Sequence, residues 1–110
     1  MELLAGAGAY TSSDTAHWVD HLAVPDLSVG TYSIPAGGTD PQAPHTEDEI
    51  YVVTAGRATL WTPTHAAEMT VGDVAFVPAG EEHRFIDIVE DLAVVVVFGP
   101  AEYSRAPDRG

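Results

Sequence analysis

Apolar positions in this chain come in short runs, often alternating with polar ones, and glycine or proline closes nearly every run. Residues 27–34 alternate weakly and end at Pro35-Ala36-Gly37-Gly38; residues 50–54 are β-branched and aromatic and stop at Ala55-Gly56. Over 57–62 the alternation is clean, with Arg57, Thr59 and Trp61 on one face and Ala58 and Leu60 on the other. A turn at Pro63-Thr64 precedes a short run at 68–71, closed by Gly72-Asp73, and the run 74–77 ends at Pro78-Ala79-Gly80. Two more strands follow, at 83–88 and 92–98, the second apolar on both faces as a buried strand is. No long stretch has helical periodicity. Short strands at such spacing predict an all-β sandwich or barrel in one domain. The barrel is expected over 27–98. Residues 1–25 read as an N-terminal extension, with 14–22 either one helical turn or an added edge strand, and 101–110 as a loose tail.

Composition narrows the chemistry. The 110 residues suit one core. With 17 acidic residues against four arginines and no lysine, the formal charge is −13. Such a surface repels phosphate backbones and anionic lipid, so neither nucleic acid nor a membrane is an expected partner. Without lysine there is no Schiff-base catalysis, and without cysteine no disulfide and no thiolate nucleophile. The cysteine-free composition makes a cytoplasmic location the expectation. Glu2 stands where an export signal would be basic, and glycines break the apolar start of the chain. No serine lies in a Gly-x-Ser-x-Gly elbow, and Gly6-Ala7-Gly8 has neither the preceding strand nor the third glycine of a dinucleotide fingerprint. Histidine and carboxylate remain, and they point to a metal.

Three residues stand out. His45 and Glu49 lie four apart where a loop enters the strand at 50–54, and His83 follows the Pro78-Ala79-Gly80 turn. If Glu49 faces inward, alternation sends Tyr51 and Val53 inward too. Two imidazoles and a carboxylate can form a facial triad with open positions for substrate or oxygen. His17, His21 and His65 lie away from these residues and read as surface histidines; the Glu47-Asp48 and Glu81-Glu82 pairs flank the three candidates. Tyr51 and Phe85 share strand parity with Glu49 and His83, as pocket wall or as core.

The spacing of these residues resembles the two motifs of the cupin superfamily. In the first, Gly37 opens the motif, the two histidine positions fall on Ala43 and His45, the glutamate on Glu49 and the closing glycine on Gly56. In the second, Gly72 leads to Pro78, Gly80 and His83, and Asp87 stands in place of the usual asparagine. The resemblance runs from Gly37 to Asp87. It implies a cupin jelly-roll barrel, a double-stranded β-helix, in which Gly56, Gly72 and Gly80 mark strand turns. It also implies one divalent ion (Fe, Mn, Ni, Co or Zn) on His45, Glu49 and His83. Ala43 departs from the pattern, since it coordinates nothing. Water could complete the shell, or the carbonyl of Gln42, the only glutamine in the chain, unless that side chain only bonds within its loop. The functional expectation is a metal-dependent enzyme of dioxygenase, isomerase or lyase type acting on a small organic molecule. The alternative is a non-catalytic module that binds a small molecule or metal. A homodimer is expected, built on the doubly apolar strand at 92–98 together with the N-terminal segment.

Overall fold

A computed structural model describes residues 1–107. Among them are six strands and no helix: β1 (His17–Val24), β2 (Leu27–Ile34), β3 (Asp48–Trp61), β4 (Ala66–Thr70), β5 (Val74–Val77) and β6 (Arg84–Gly99). All pair antiparallel, in the order β1-β2-β6-β3-β4, with β5 on the first half of β3 and β4 on its second half. The all-β expectation holds. Of the two expectations for 14–22 the edge strand holds from residue 17 on, as β1, which turns at Pro25-Asp26 into β2.

Two expected strand pairs are single long strands. The runs 50–54 and 57–62 join in β3, and 83–88 and 92–98 join in β6. Gly56 therefore bends its strand without ending it. It sits at φ +80° among register shifts against β6, and a Cβ there would collide with the backbone carbonyl of Asp91. Glycine permits both the backbone angle and the close approach. Opposite, Asp87 takes φ +48°, a left-handed conformation that aspartate and asparagine tolerate better than other side chains. These irregularities curve two long strands around one core.

The alternation decides what fills that core. Glu49, Tyr51 and Val53 on β3 and Leu92, Val94, Val96 and Phe98 on β6 are buried, each at 2% exposure or less. Their alternates Ile50, Val52, Val95 and Val97 face outward and keep partial exposure. Burying a large apolar side chain contributes about 1.5–3 kcal/mol, so this inner face dominates stability. β6 lies between β2 and β3, and both its edges are hydrogen-bonded.

The chain ends also have fixed places. Gly8 donates to Thr31 Oγ1 at 2.8 Å and accepts from Thr54 Oγ1 at 2.6 Å, which lays the N-terminal segment over the outer face. The sequence suggests a loose tail over 101–110. Residues 101–105 differ from that, being tied down by four backbone N–H donors. Ala101 donates to the Pro25 carbonyl, Glu102 to Ser28 Oγ, and Tyr103 and Arg105 to the Glu47 carboxylate. Residues 108–110 lie outside the described range.

Candidate metal centre

His45 sits in the loop before β3, Glu49 is the second residue of β3, and His83 is the residue before β6. The loop and the turn that carry them are fastened together. Gly80 N donates to the His45 carbonyl at 2.8 Å, and Ala79 N donates to Asp48 Oδ1 at 2.9 Å. The Pro78-Ala79-Gly80 turn thus presses His83 toward His45. One ligand atom from each of His45, Glu49 and His83 lies within 4.8 Å of the other two, and no other His, Cys, Asp and Glu group does so among the described residues.

The polar atoms of this trio are not satisfied by one another. His83 Nε2 lies 3.0 Å from Glu49 Oε1 and His45 Nδ1 lies 3.7 Å from it. Even so, His45 Nδ1 and Glu49 Oε1 are buried without a hydrogen-bond partner. A buried polar atom left unpaired costs about 1–3 kcal/mol, so two aimed at one point ask for a ligand. The His83 ring is held by Nδ1–H donating to the Glu81 carbonyl at 2.8 Å, which in the neutral tautomer turns the Nε2 lone pair inward. Burial disfavours the charged ring of His83. The Glu49 carboxylate, the Glu81 carbonyl and the charge of Asp40 outweigh it and raise the pKa.

Beside the trio is a second polar cluster, centred on a residue the sequence reading passed over. Asp40 is 8% exposed. Its carboxylate accepts from the Tyr32 hydroxyl (2.6 Å), the Phe85 amide (2.9 Å), Gln42 N (3.2 Å) and Gln42 Nε2 (2.7 Å). Gln42 Nε2 also donates to the Tyr51 hydroxyl at 2.9 Å, and that hydroxyl is 3.0 Å from His83 Nε2. Since Tyr51 accepts from Gln42, its own proton is directed at His83. Burial, with the charges of Glu49 and Asp40, pushes the Tyr51 pKa well up, so it remains a donor. Gln42 is therefore next to the site, with both amide hydrogens committed. Ala43 is exposed. Nothing in the sequence around Thr39-Asp40-Pro41 marks Asp40 as a buried hub.

His45 and Glu49 line a cavity of about 160 Å³ walled by Trp18, Tyr32, Tyr51, Val96 and Phe98, with Gln42 and Glu102 among its polar groups. Trp18 comes from β1 and lies over Gly30 of β2, where any side chain would displace its ring. A larger groove of about 460 Å³ runs between β4 and β5 past Met69 and Phe76, but its His65, Glu68, Asp73 and Glu81 form no comparable group. Phe85 packs its ring 4.8 Å from that of Tyr51 and belongs to the core. His17, His21 and His65 do not join the site; His21 Nε2 bonds to Thr31 Oγ1 instead.

A Cupin domain model matches residues 30–98, which span β2 to β6. The chain belongs to the cupin family. An uncharacterized protein of Streptomyces coelicolor is 40% identical over 94 residues, 86% of this chain and 90% of that protein. Among solved structures, an RmlC-like cupin protein of Desulfovibrio desulfuricans superposes with a TM-score of 0.80 at 18% identity, covering 92% of this chain and 98% of the other. The DMSP lyase DddQ of Ruegeria pomeroyi matches with a TM-score of 0.72 at 24% identity over 78% of this chain. This cupin spans 47% of that longer lyase. At such identities the likeness is one of fold.

The residues fit a metal ion. Two imidazoles and one carboxylate suit a borderline divalent ion such as Fe, Mn, Co, Ni or Zn, and two of their three inward atoms, His45 Nδ1 and Glu49 Oε1, have no partner. No helix of the structure is long and apolar enough to cross a membrane.

Proposed function

We propose that this cupin is a metal-dependent enzyme acting on a small organic molecule, with His45, Glu49 and His83 holding one divalent ion. What carries the reading is the pair of buried atoms without partners, His45 Nδ1 and Glu49 Oε1, converging with His83 Nε2. A bound ion supplies Lewis acidity to a substrate oxygen, or a place for O2 beside it. The chain's own residues would set the rest. The cavity is close in size to the roughly 150 Å³ engineered cavity that takes benzene, which suits a reacting group of about that bulk, and its open side leaves room for the rest of the molecule. Its lining has no arginine or lysine but does have Glu49 and Glu102, so a substrate anion would find no positive side chain there and would have only the ion to pair with. The Tyr51 hydroxyl, held by Gln42, offers a fixed proton donor beside His83. Dioxygenase, isomerase and lyase chemistry all suit this arrangement, and the fold likeness to DddQ supports keeping lyase substrates in the screen. Ala43, in place of a motif histidine, favours a second reading, a non-catalytic metal-binding module.

Elemental analysis of protein purified without chelator, then reloaded, is expected to give about one ion per chain. His83→Ala should lose the ion while circular dichroism still reports a β fold. Absence of metal after reloading overturns the site. Oxygen uptake and product assays on loaded protein, with diols and diketones, separate the two readings, since a binding module turns over none.

We also propose a homodimer and a cytoplasmic location. Both edges of β6 are taken, so its contribution to an interface is its outer face. There Val97 and Val29 form a row with Ile50 and Phe76, which are 38% and 62% exposed. Phe76→Asp should turn a dimer into a monomer in light scattering; a parent already monomeric at micromolar concentration rejects the dimer.

A further inference from the structure

Each histidine of the metal centre has two ring nitrogens, and only one can face an ion. For His83 the Glu81 carbonyl settles which, because it can only accept and so requires a proton on Nδ1. His45 has no such carbonyl. Its Nδ1 is buried, unpartnered and 3.7 Å from Glu49 Oε1, whereas its Nε2 points the other way, 3.5 Å from Glu102 Oε2. That separation is longer than a good hydrogen bond, and it places the carboxylate as the polar group beside Nε2. Glu102 belongs to the segment at 101–105, outside both cupin motifs and outside the matched domain.

The placement of Glu102 is built. Glu47, 1% exposed, takes the amides of Tyr103 (2.8 Å) and Arg105 (2.9 Å) on its two carboxylate oxygens. Ser28 Oγ takes the amide of Glu102 itself at 2.8 Å. Three bonds thus pin the backbone on both sides of this one side chain. Glu102 is half-buried and lines the same cavity as His45 and Glu49.

We infer that Glu102 is a positioning residue for the metal centre. Delivered by a C-terminal strap clamped to Glu47, it holds the proton of His45 on Nε2 and so presents the Nδ1 lone pair to the ion. The inference rests on the proposed metal site and adds to it a residue from outside the family motifs. A carboxylate behind a ligating histidine fixes its tautomer and raises its basicity, and losing such a partner costs about 10–100-fold in affinity. The two histidines then bind through different nitrogens, His45 by Nδ1 and His83 by Nε2.

Nitrogen-15 correlation spectra of the full chain read the tautomers directly, without metal and then with zinc. In the metal-free parent at mildly alkaline pH, His45 should show a protonated Nε2; zinc should then shift Nδ1 of His45 and Nε2 of His83. Glu102→Ala should mix the His45 tautomers and weaken zinc binding, measured by chelator competition, about tenfold or more. Glu102→Gln, whose carbonyl still accepts the N–H, should keep the tautomer and most of the affinity. Glu47→Ala, which frees the strap, should reproduce Glu102→Ala. A parent that binds zinc while Glu102→Ala leaves both tautomer and affinity unchanged overturns the role of Glu102 alone, as does coordination through His45 Nε2. A parent that takes up no zinc overturns the metal site and this role together.

Discussion

Asp40 and Glu49 are both buried carboxylates at the mouth of one barrel, and they are treated in opposite ways. Asp40 accepts four hydrogen bonds, from a phenol, two backbone amides and a carboxamide. Glu49 leaves Oε1 without a donor, though two imidazoles lie within 4 Å of it. A satisfied buried network fixes one conformation, whereas an unsatisfied one stores a cost that only a bound group recovers. Asp40 therefore reads as architecture and Glu49 as function. The two are joined through Gln42 and Tyr51, so the first holds the second in place.

Stability measurements can break that contrast. Asp40→Ala strips buried partners from Tyr32, Phe85 and Gln42 together. At about 1–3 kcal/mol for each orphaned group, it should cost about 3 kcal/mol or more, seen as a lower urea midpoint. Glu49→Gln in metal-free protein, measured at mildly alkaline pH where His83 is neutral and the pull of the Glu49 charge on its ring no longer counts, should change stability by less than about 0.5 kcal/mol or raise it. If the two substitutions cost the same, the division between architecture and function is wrong.

The same contrast marks what the sequence made legible. That His45, Glu49 and His83 lie close together is legible because turn glycines, Pro78 and strand parity fix their places locally. Tyr51 and Val53 came inward with Glu49 for that reason. Gly56 was misread as a strand end, since a glycine that admits a crossing carbonyl and one that closes a turn look alike until the partner strand is known. Asp40 and Glu102 were not legible. Their partners are 45 and 57 residues away in sequence, at Phe85 and His45, and no local period encodes such pairings. The strap was read as loose for the same reason, its polar residues giving no hint that Glu47 would take two of its amides.

Glu47 is the third buried carboxylate and gives the next effect in size. Burial alone would raise its pKa. The Thr46 hydroxyl, the amides of Arg105 and Tyr103 and the nearby His45 more than reverse this, and the pKa falls below the ordinary 4.5. A folded pKa below the unfolded one adds stability that is complete above about pH 5 and is lost as pH falls through the folded value. Acid should therefore loosen the strap in the parent. Glu47→Gln should cost about 2 kcal/mol near neutral pH, as charged hydrogen bonds do, and should flatten the stability profile below pH 5. A profile as steep in the variant as in the parent would place the acid sensitivity elsewhere.

A loss smaller than that of Glu47→Gln is expected at Gln42, which lies on the boundary between the two regions. Its amide hydrogens are committed to Asp40 Oδ2 and the Tyr51 hydroxyl, which leaves the carbonyl oxygen for the cavity it lines. With Ala43 unable to coordinate, we propose that oxygen as the fourth ligand, chemically acceptable to a hard or borderline ion. Gln42→Ala should then weaken metal affinity about tenfold, equivalent to about 1.4 kcal/mol. Ala43 is exposed, so Ala43→His has room to restore part of that loss from the position where the cupin motif carries its histidine. Tyr51→Phe separates coordination from support. It removes the hydroxyl that Gln42 holds but leaves the Gln42 carbonyl in place, and it frees His83 Nε2 from a competing proton, so affinity should hold or rise. A Tyr51→Phe loss equal to that of Gln42→Ala would mean that Gln42 acts only by bracing Tyr51. Parent-like affinity in Gln42→Ala would give the fourth position to water and leave Gln42 to the Asp40 hub.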